Sequence, residues 1–382
     1  MIKRKPISAE QIEQNKFIYT EHFLPDYADL IATTLLKRID RYYFRSEFIG
    51  FEDYPQRNNP ERPLIFISNH SGMAFPWDAI IFTAGIYRQA NQSFKDAVRV
   101  LTSPMLSQSV LMNPFLVNNF WKKVGSVDAT FLNFETMMHN NETNLLMYPE
   151  GVPGIGKGFH KKYQLQRFSS SFVRMSIKYK TDIIPVATVN GEYINPYNLK
   201  SDFINSLSQR IGIPFIPVGL MSLLIPFQPW IFYFGFPAKL TYVLGERIKP
   251  YEMVDKEFHE ISEHEFRRIT DEVKNTMQIH LDRSVRQYGK KHYHVIELVK
   301  NWKNDLLRFP YFLPVCWPAI FEEFDKLYRM GNQKTFRLKF LSVITIIKHN
   351  PITVAFFIPL LLDSCIVARN EKTSKIFKKT SC

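Results

Sequence analysis

Short apolar runs recur along the first half of the chain, at residues 64–68, 98–101, 144–148 and 183–189. Helix-length segments lie between them, among them 131–138 and 165–179. Strand-length runs alternating with helix-length segments predict layered packing around a mostly parallel sheet, because parallel neighbours need a crossover between them. Ahead of the first run, Tyr27, Leu30, Ile31, Leu35 and Ile39 recur at helical spacing, which predicts helix up to about Tyr54. The predicted class is α/β, with a mostly parallel central sheet flanked by helices and with helical N- and C-terminal extensions. Three regions follow: a helical segment at 1–54, a central domain at 55–290, and a helical extension with a basic tail at 291–382. In sheets of this kind functional residues gather in loops beyond the carboxyl ends of the strands. His70 and Glu150 each follow a strand candidate directly, so they are expected on one rim.

The alternation breaks at 211–238, where no charged residue occurs and aromatic and aliphatic side chains crowd together. The length would suit a membrane span of about 20 residues. Pro214, Pro217, Pro226, Pro229 and Pro237 oppose a regular helix, and each backbone group they free would need a partner inside hydrocarbon. The segment fits an apolar wall at a lipid interface, with Leu224, Phe227, Trp230 and Phe232 as acyl-chain or membrane surface; it also fits a buried core segment. A second apolar run at 351–362 ends at Asp363 and is followed by Lys372, Lys375, Lys378 and Lys379. That order suits either an anionic bilayer surface or a buried helix with a solvated tail.

Charge and composition narrow the partners. Lysine and arginine number 49 against 36 acidic residues, and the net charge of +13 favours phosphate-bearing or anionic-membrane partners. Basic stretches are not arranged in an RNA-binding or zinc-finger pattern, so nucleic acid is not an expected partner. A hydrophobic content of 45% in 382 residues excludes a disordered chain. The basic start is followed by no apolar segment, so no secretory signal is expected there. Cys316, Cys365 and Cys382 are widely spaced, which fits a reducing compartment or no redox role. His139, His160, His259, His264, His292 and His294 show no ligand-like grouping beyond the short His292-Tyr293-His294 step, so no metal is expected; no bound cofactor is expected either.

Two loops carry candidate chemistry. The first runs from His70 to Asp78 through Gly72 and Pro76. Histidine titrates near neutrality, and a carboxylate holding one ring nitrogen leaves the other free to take a proton from a hydroxyl. On these residues alone Asp78 also suits an N-cap for a helix at 79–87, with His70 an ordinary loop histidine. The second loop places Glu150, Gly151, Gly154, Gly156, Lys157 and Gly158 in succession. Glycines let backbone N–H groups approach a ligand, and a lysine adds charge for a phosphate or an oxyanion, although tight turns use glycine for their own sake. Neither the Walker pattern nor G-x-G-x-x-G is met.

Taken together, Asn69-His70 with Asp78, Tyr148-Pro149-Glu150-Gly151, the apolar stretch around Pro185, and Gly191-Glu192 resemble the phospholipid/glycerol acyltransferase family. In that family N-H-x-x-x-x-D precedes a P-E-G block and an apolar strand ending in proline. The resemblance covers about Arg62 to Pro250. Seven residues separate His70 from Asp78 instead of four, a length resembling the branch near mono- and diacylglycerol acyltransferases. The stretch from Val124 to Thr130 holds no arginine where phosphate-using members usually have one.

The resemblance implies a glycerolipid-acyltransferase-like fold and transfer of a fatty acyl group from acyl-CoA or acyl carrier protein to a hydroxyl of a glycerolipid or lysophospholipid. His70 would be the base and Asp78 its partner. Glu150, Gly151, Gly154 and Lys157 would bind substrate. It also implies peripheral or monotopic attachment at the cytoplasmic face of a membrane. Two other functions compete: a thioesterase or lipid hydrolase using Ser68 or Ser71, opposed by the missing G-x-S-x-G elbow, and a catalytically inactive lipid-binding protein on the same fold.

Overall fold

The strand at Ile183–Val189 is buried at all seven positions, a pattern possible only where helices cover both faces of a sheet. The computed structural model describes residues 7–71, 75–210, 212–305, 308–331 and 348. Seven strands form one sheet: β1 (Glu47–Ile49), β2 (Ile65–Ser68), β3 (Val98–Thr102), β4 (Val127–Asp128), β5 (Asn144–Met147), β6 (Ile183–Val189) and β7 (Thr241–Leu244), in the order β1-β7-β6-β2-β5-β3-β4. Every pairing is parallel except β6 with β7, so β1 and β7 run against the other five. The predicted α/β class with a mostly parallel sheet is the observed one.

Side-chain alternation along the strands divides the core between the two faces. On one face Leu64, Phe66, Leu146, Ile184 and Tyr242 pack under the helix Trp77–Gln89, the N-terminal helical run and the helix Trp317–Arg329. On the other, Ile65, Ile67, Leu145, Ile183 and Ala187 meet the helices Phe131–His139, Ser171–Tyr179 and Glu263–Tyr288. Glu263–Tyr288 is capped by Ser262 and Glu265, each bonding back to the other's backbone, and buries Phe266, Ile269, Val273, Met277 and Leu281 along one stripe.

The N-terminal helix expected to reach Tyr54 ends earlier. Pro25–Leu30 continues as a π-helix over Ile31–Leu36, a short α turn at Lys37–Ile39 and a second π segment at Asp40–Phe44. Arg45 then turns the chain with a φ of 50°, and β1 follows within the segment read as helical. The run at 351–362, the tail lysines, Cys365 and Cys382 lie outside the described residues. Cys316 is buried, and burial raises its thiol to about 12, so at neutral pH it is an inert core residue. Among the described residues no helix is long and apolar enough to cross a membrane.

Gly85 joins the helix Trp77–Gln89 to β1. A Cβ at that position would lie 2.0 Å from Phe48 Cζ, and Phe48 is itself held between Phe82 and Tyr242. Alanine normally stabilises a helix by about 1 kcal/mol over glycine. Here overpacking at about 1–3 kcal/mol opposes that gain. Gly85→Ala is therefore expected to lower the urea midpoint, and a raised midpoint would refute this packing account.

Candidate active site

β2 and β6 are extended past their last backbone pairs by a side chain. Asn69 Oδ1 accepts from Thr188 N at 2.8 Å and its Nδ2 donates to Thr188 O at 3.0 Å, so the asparagine mimics one more rung of the ladder. This lock holds the chain straight up to His70, which emerges at the carboxyl end of the sheet. Asn69 carried no assigned role in the sequence, although its place directly before the histidine was the available signal.

Asp78 lies inside the helix Trp77–Gln89, whose cap position is Pro76, so it is not the N-cap that its residue type suggested. Its carboxylate turns back instead: Oδ2 accepts from Ser71 N at 3.1 Å and stands 3.8 Å from His70 Nδ1. Nδ1 is buried and has no hydrogen bond, so Asp78 is its nearest charged partner at a separation longer than a bond. Catalytic pairs without substrate are often this loose. Tyr242 donates to the Asp78 carbonyl at 2.7 Å and anchors the helix start. Gly72, within the same loop, lies outside the described residues.

Tyr148, at the end of β5, stacks on the imidazole with ring centres 3.9 Å apart and planes 13° apart. Burial first, and then the Asp78 charge, raise its phenol well above the usual tyrosine range, so the platform stays neutral. The next residue but one, Glu150, accepts from His70 N at 3.1 Å through Oε1 and from Gln166 N at 2.6 Å through Oε2. His70 and Glu150 thus do meet on one rim, as their positions after β2 and β5 predicted.

The remaining loop residues are placed differently from a phosphate cradle. Gly151 takes a φ of +60°, and its N–H donates to Tyr148 O at 2.9 Å. Gly154 donates to Gly151 O at 3.0 Å, and a Cβ there would come within 2.4 Å of Glu150 Cβ. These two glycines therefore serve the turn and the close packing of Glu150. Lys157 is buried, with Nζ 3.2 Å from Glu192 Oε1 and 3.8 Å from Glu150 Oε2.

A cavity of about 430 Å³ has His70 and Tyr148 in its wall. It runs inward between the helix Trp77–Gln89 and the N-terminal run, past Ala28, Ala32, Thr83 and Ala84, and its exposed rim includes Phe131, Gly151 and Ser169. The lining is overwhelmingly apolar. Arg99 is its one cation among the described residues, and it already donates to Gly125 O at 2.7 Å and Ile18 O at 3.1 Å. Burial lowers its guanidinium to about 10, still charged at neutral pH.

The charge-free segment divides into buried and exposed parts. Tyr233 and Phe234 are core residues, Trp230 and Phe232 are half-buried against Phe115 and Phe75, and Leu224 and Phe227 face outward. None of Leu224, Phe227, Trp230 and Phe232 lines the His70 cavity, but Pro214 and Phe215 from the same segment do.

The acyltransferase family model matches residues 47–189, from β1 to the end of β6. That stretch, well under half of the chain, is similar to the acyltransferase family. Within that domain lie His70, Asp78, Tyr148, Glu150 and Lys157, while β7 and Glu192 come from beyond it. Two uncharacterized proteins, from Mycobacterium tuberculosis and Mycobacterium bovis, are 25% identical to it over 259 residues, covering 67% of this chain and 66% of each relative. A third, from Mycobacterium leprae, is 25% identical over the same length, and the match spans 64% of it. The crystal structure of the 1-acyl-sn-glycerophosphate (LPA) acyltransferase PlsC from Thermotoga maritima aligns over 68% of this chain and 82% of that one, at 15% identity and a TM-score of 0.36.

Proposed function

We propose that this acyltransferase moves a long fatty acyl group from a thioester, acyl-CoA or acyl carrier protein, to a hydroxyl of a glycerolipid. The observation that carries the reading is the apolar cavity of about 430 Å³ with the His70 imidazole in its wall and the Asp78 carboxylate behind it. The acyl chain fills the cavity, where each buried methylene is worth about 0.8 kcal/mol. The thioester carbon then sits beside His70. Nε2 takes the acceptor's hydroxyl proton as its oxygen attacks, Asp78 stabilises the imidazolium, and collapse of the tetrahedral adduct expels the thiolate, which receives that proton. A thioester is already activated, so a base, donors for the oxyanion and positioning suffice.

The acceptor we favour is an uncharged acylglycerol. Lys157 is tied to two carboxylates and does not line the cavity, and Arg99, the one lining cation among the described residues, already donates to two carbonyls, an arrangement that suits an uncharged acceptor better than a phosphate. A serine hydrolase is less well supported: Ser68 and Ser71 are both buried and neither lines the cavity.

We also place the enzyme on the cytoplasmic face of a membrane as a peripheral protein. Exposed large apolar side chains recur along one stretch of the chain, at Leu199, Phe203, Leu223, Leu224 and Phe227, and along another at Val110 and Leu116. The Tyr233 hydroxyl joins the two stretches by donating to Leu111 O at 2.8 Å. Such a concentration suits insertion at a lipid interface beside the cavity that Pro214 and Phe215 help to line.

The test is transfer from labelled long-chain acyl-CoA into vesicles carrying either acylglycerols or lysophosphatidic acid. Mass spectrometry of products is paired with sedimentation of the enzyme on the vesicles. The expected result is co-sedimentation and an acylated, phosphate-free product. Binding without any product would favour a lipid-binding protein, free fatty acid as the sole product would favour a hydrolase, and a phosphorylated product would overturn the acceptor assignment.

A further inference from the structure

A lysine in a glycine-rich loop suggests an anion ligand, but the Lys157 ammonium is already surrounded by oxygen. Besides Glu192 and Glu150 it meets Gln164 O at 3.2 Å, and its side chain is only 1% exposed. The carboxylates it joins come from the loops after β5 and β6, the two strands that flank β2 in the sheet. Glu192 also accepts from Tyr163 N at 3.1 Å, and Glu150 from Gln166 N, so the backbone between those residues is pinned from both sides. The chain of contacts ends at the base, because the other Glu150 oxygen holds the backbone N–H of His70. With Ser71 N bound by Asp78, two successive amides at the histidine are each fixed by a buried carboxylate.

We propose that Glu150, Lys157 and Glu192 form a buried ion array that sets the position of His70, with Glu150 and Lys157 acting as positioning residues instead of substrate ligands. The proposal rests on the reading of His70 as the transfer base. Its logic is charge balance. An ammonium between two carboxylates balances their charge and holds Glu150 in place to accept two backbone bonds, whereas removal of the ammonium leaves two buried like charges facing each other. Displacement of a reacting group by about 1 Å costs on the order of 100-fold in rate. The array therefore acts on turnover, not on acceptor affinity.

The experiment compares wild type, Lys157→Met, Lys157→Met with Glu192→Gln, and Glu150→Gln, reading kcat, acceptor KM and amide hydrogen exchange over residues 69–71. Lys157→Met is expected to lower kcat on the order of 100-fold with acceptor KM nearly unchanged, and to speed exchange at the His70 amide. Adding Glu192→Gln removes the unbalanced charge, and about a tenfold recovery of kcat is expected. A lysine that binds the acceptor behaves oppositely: KM rises, kcat holds, and Glu192→Gln restores nothing. Any of those results overturns the proposal.

If Lys157→Met does not fold, Glu150→Gln carries the test. A fall in kcat with faster exchange at His70 supports the array, and a raised acceptor KM with unchanged exchange overturns it. Exchange needs no turnover, so a wild type that transfers nothing would sink the functional reading while the array is still judged by its amides.

Discussion

His70→Ala is expected to lower acyl transfer by roughly 10²- to 10⁴-fold, the usual contribution of a positioned general base. The fold should survive the change. The Glu150 bond at this position goes to the His70 backbone, which alanine retains, and the Asn69 lock on Thr188 precedes the side chain. The imidazole is partly solvent-facing, at 14% exposure, so its removal leaves a widened cavity wall and not a sealed void. The measurement is single-turnover transfer of labelled acyl-CoA, with the thermal midpoint as the control. Undiminished transfer by a folded His70→Ala protein would remove the base assignment and the mechanism with it.

Ala84→Phe should convert a long-chain enzyme into one confined to shorter donors. Ala84 lies on the helix Trp77–Gln89 two turns beyond Asp78, and it lines the cavity with Thr83 and Ala32. A phenyl ring there fills the inner end while leaving His70 untouched. If it denies room to about five methylenes, a long donor loses about 4 kcal/mol of binding at about 0.8 kcal/mol each, close to 10³ in kcat/KM. A donor short enough to end before Ala84 keeps its rate. Profiling kcat/KM over donors of increasing length checks this. A uniform loss at every length would point to general damage from overpacking, and an unchanged profile would place the acyl chain elsewhere.

How much of this was legible in the sequence depended on how long each signal runs. β2, β3, β5 and β6 are apolar enough on both faces to stand out, and from their alternation the α/β class and the meeting of His70 with Glu150 both follow. β1 and β4 span three and two residues, too short to show a period, and β1 follows directly on a helical run. The long helix Glu263–Tyr288 carries its own signature in the Ser262–Glu265 capping box and its apolar stripe.

At the site, residue types singled out the loops but not the contacts their side chains make. Glycine beside lysine is ambiguous between a ligand cradle and a tight turn, and only the position of Glu192, brought close by the adjacency of β6 and β2, decides for the buried pairing. The stacking of Tyr148 on His70 and the bond from Gln166 N to Glu150 could not be foreseen, because neither leaves a mark on residue identity. The cavity was equally hidden. It is walled in part by alanines from separate helices, which carry no distinctive pattern, whereas the aromatic segment at 211–238 stands out in the sequence without forming most of the wall.

The place of β7 between β1 and β6 has a consequence for synthesis. β1 is made at residues 47–49 but, among the described residues, pairs in the sheet only with β7, at 241–244. At roughly 5–20 residues per second, the ribosome needs about 10–40 s to cover that interval. Once β6 is made, its edge stays open for the roughly 50 residues before β7, about 3–10 s at that rate, and is exposed to mispairing with another chain.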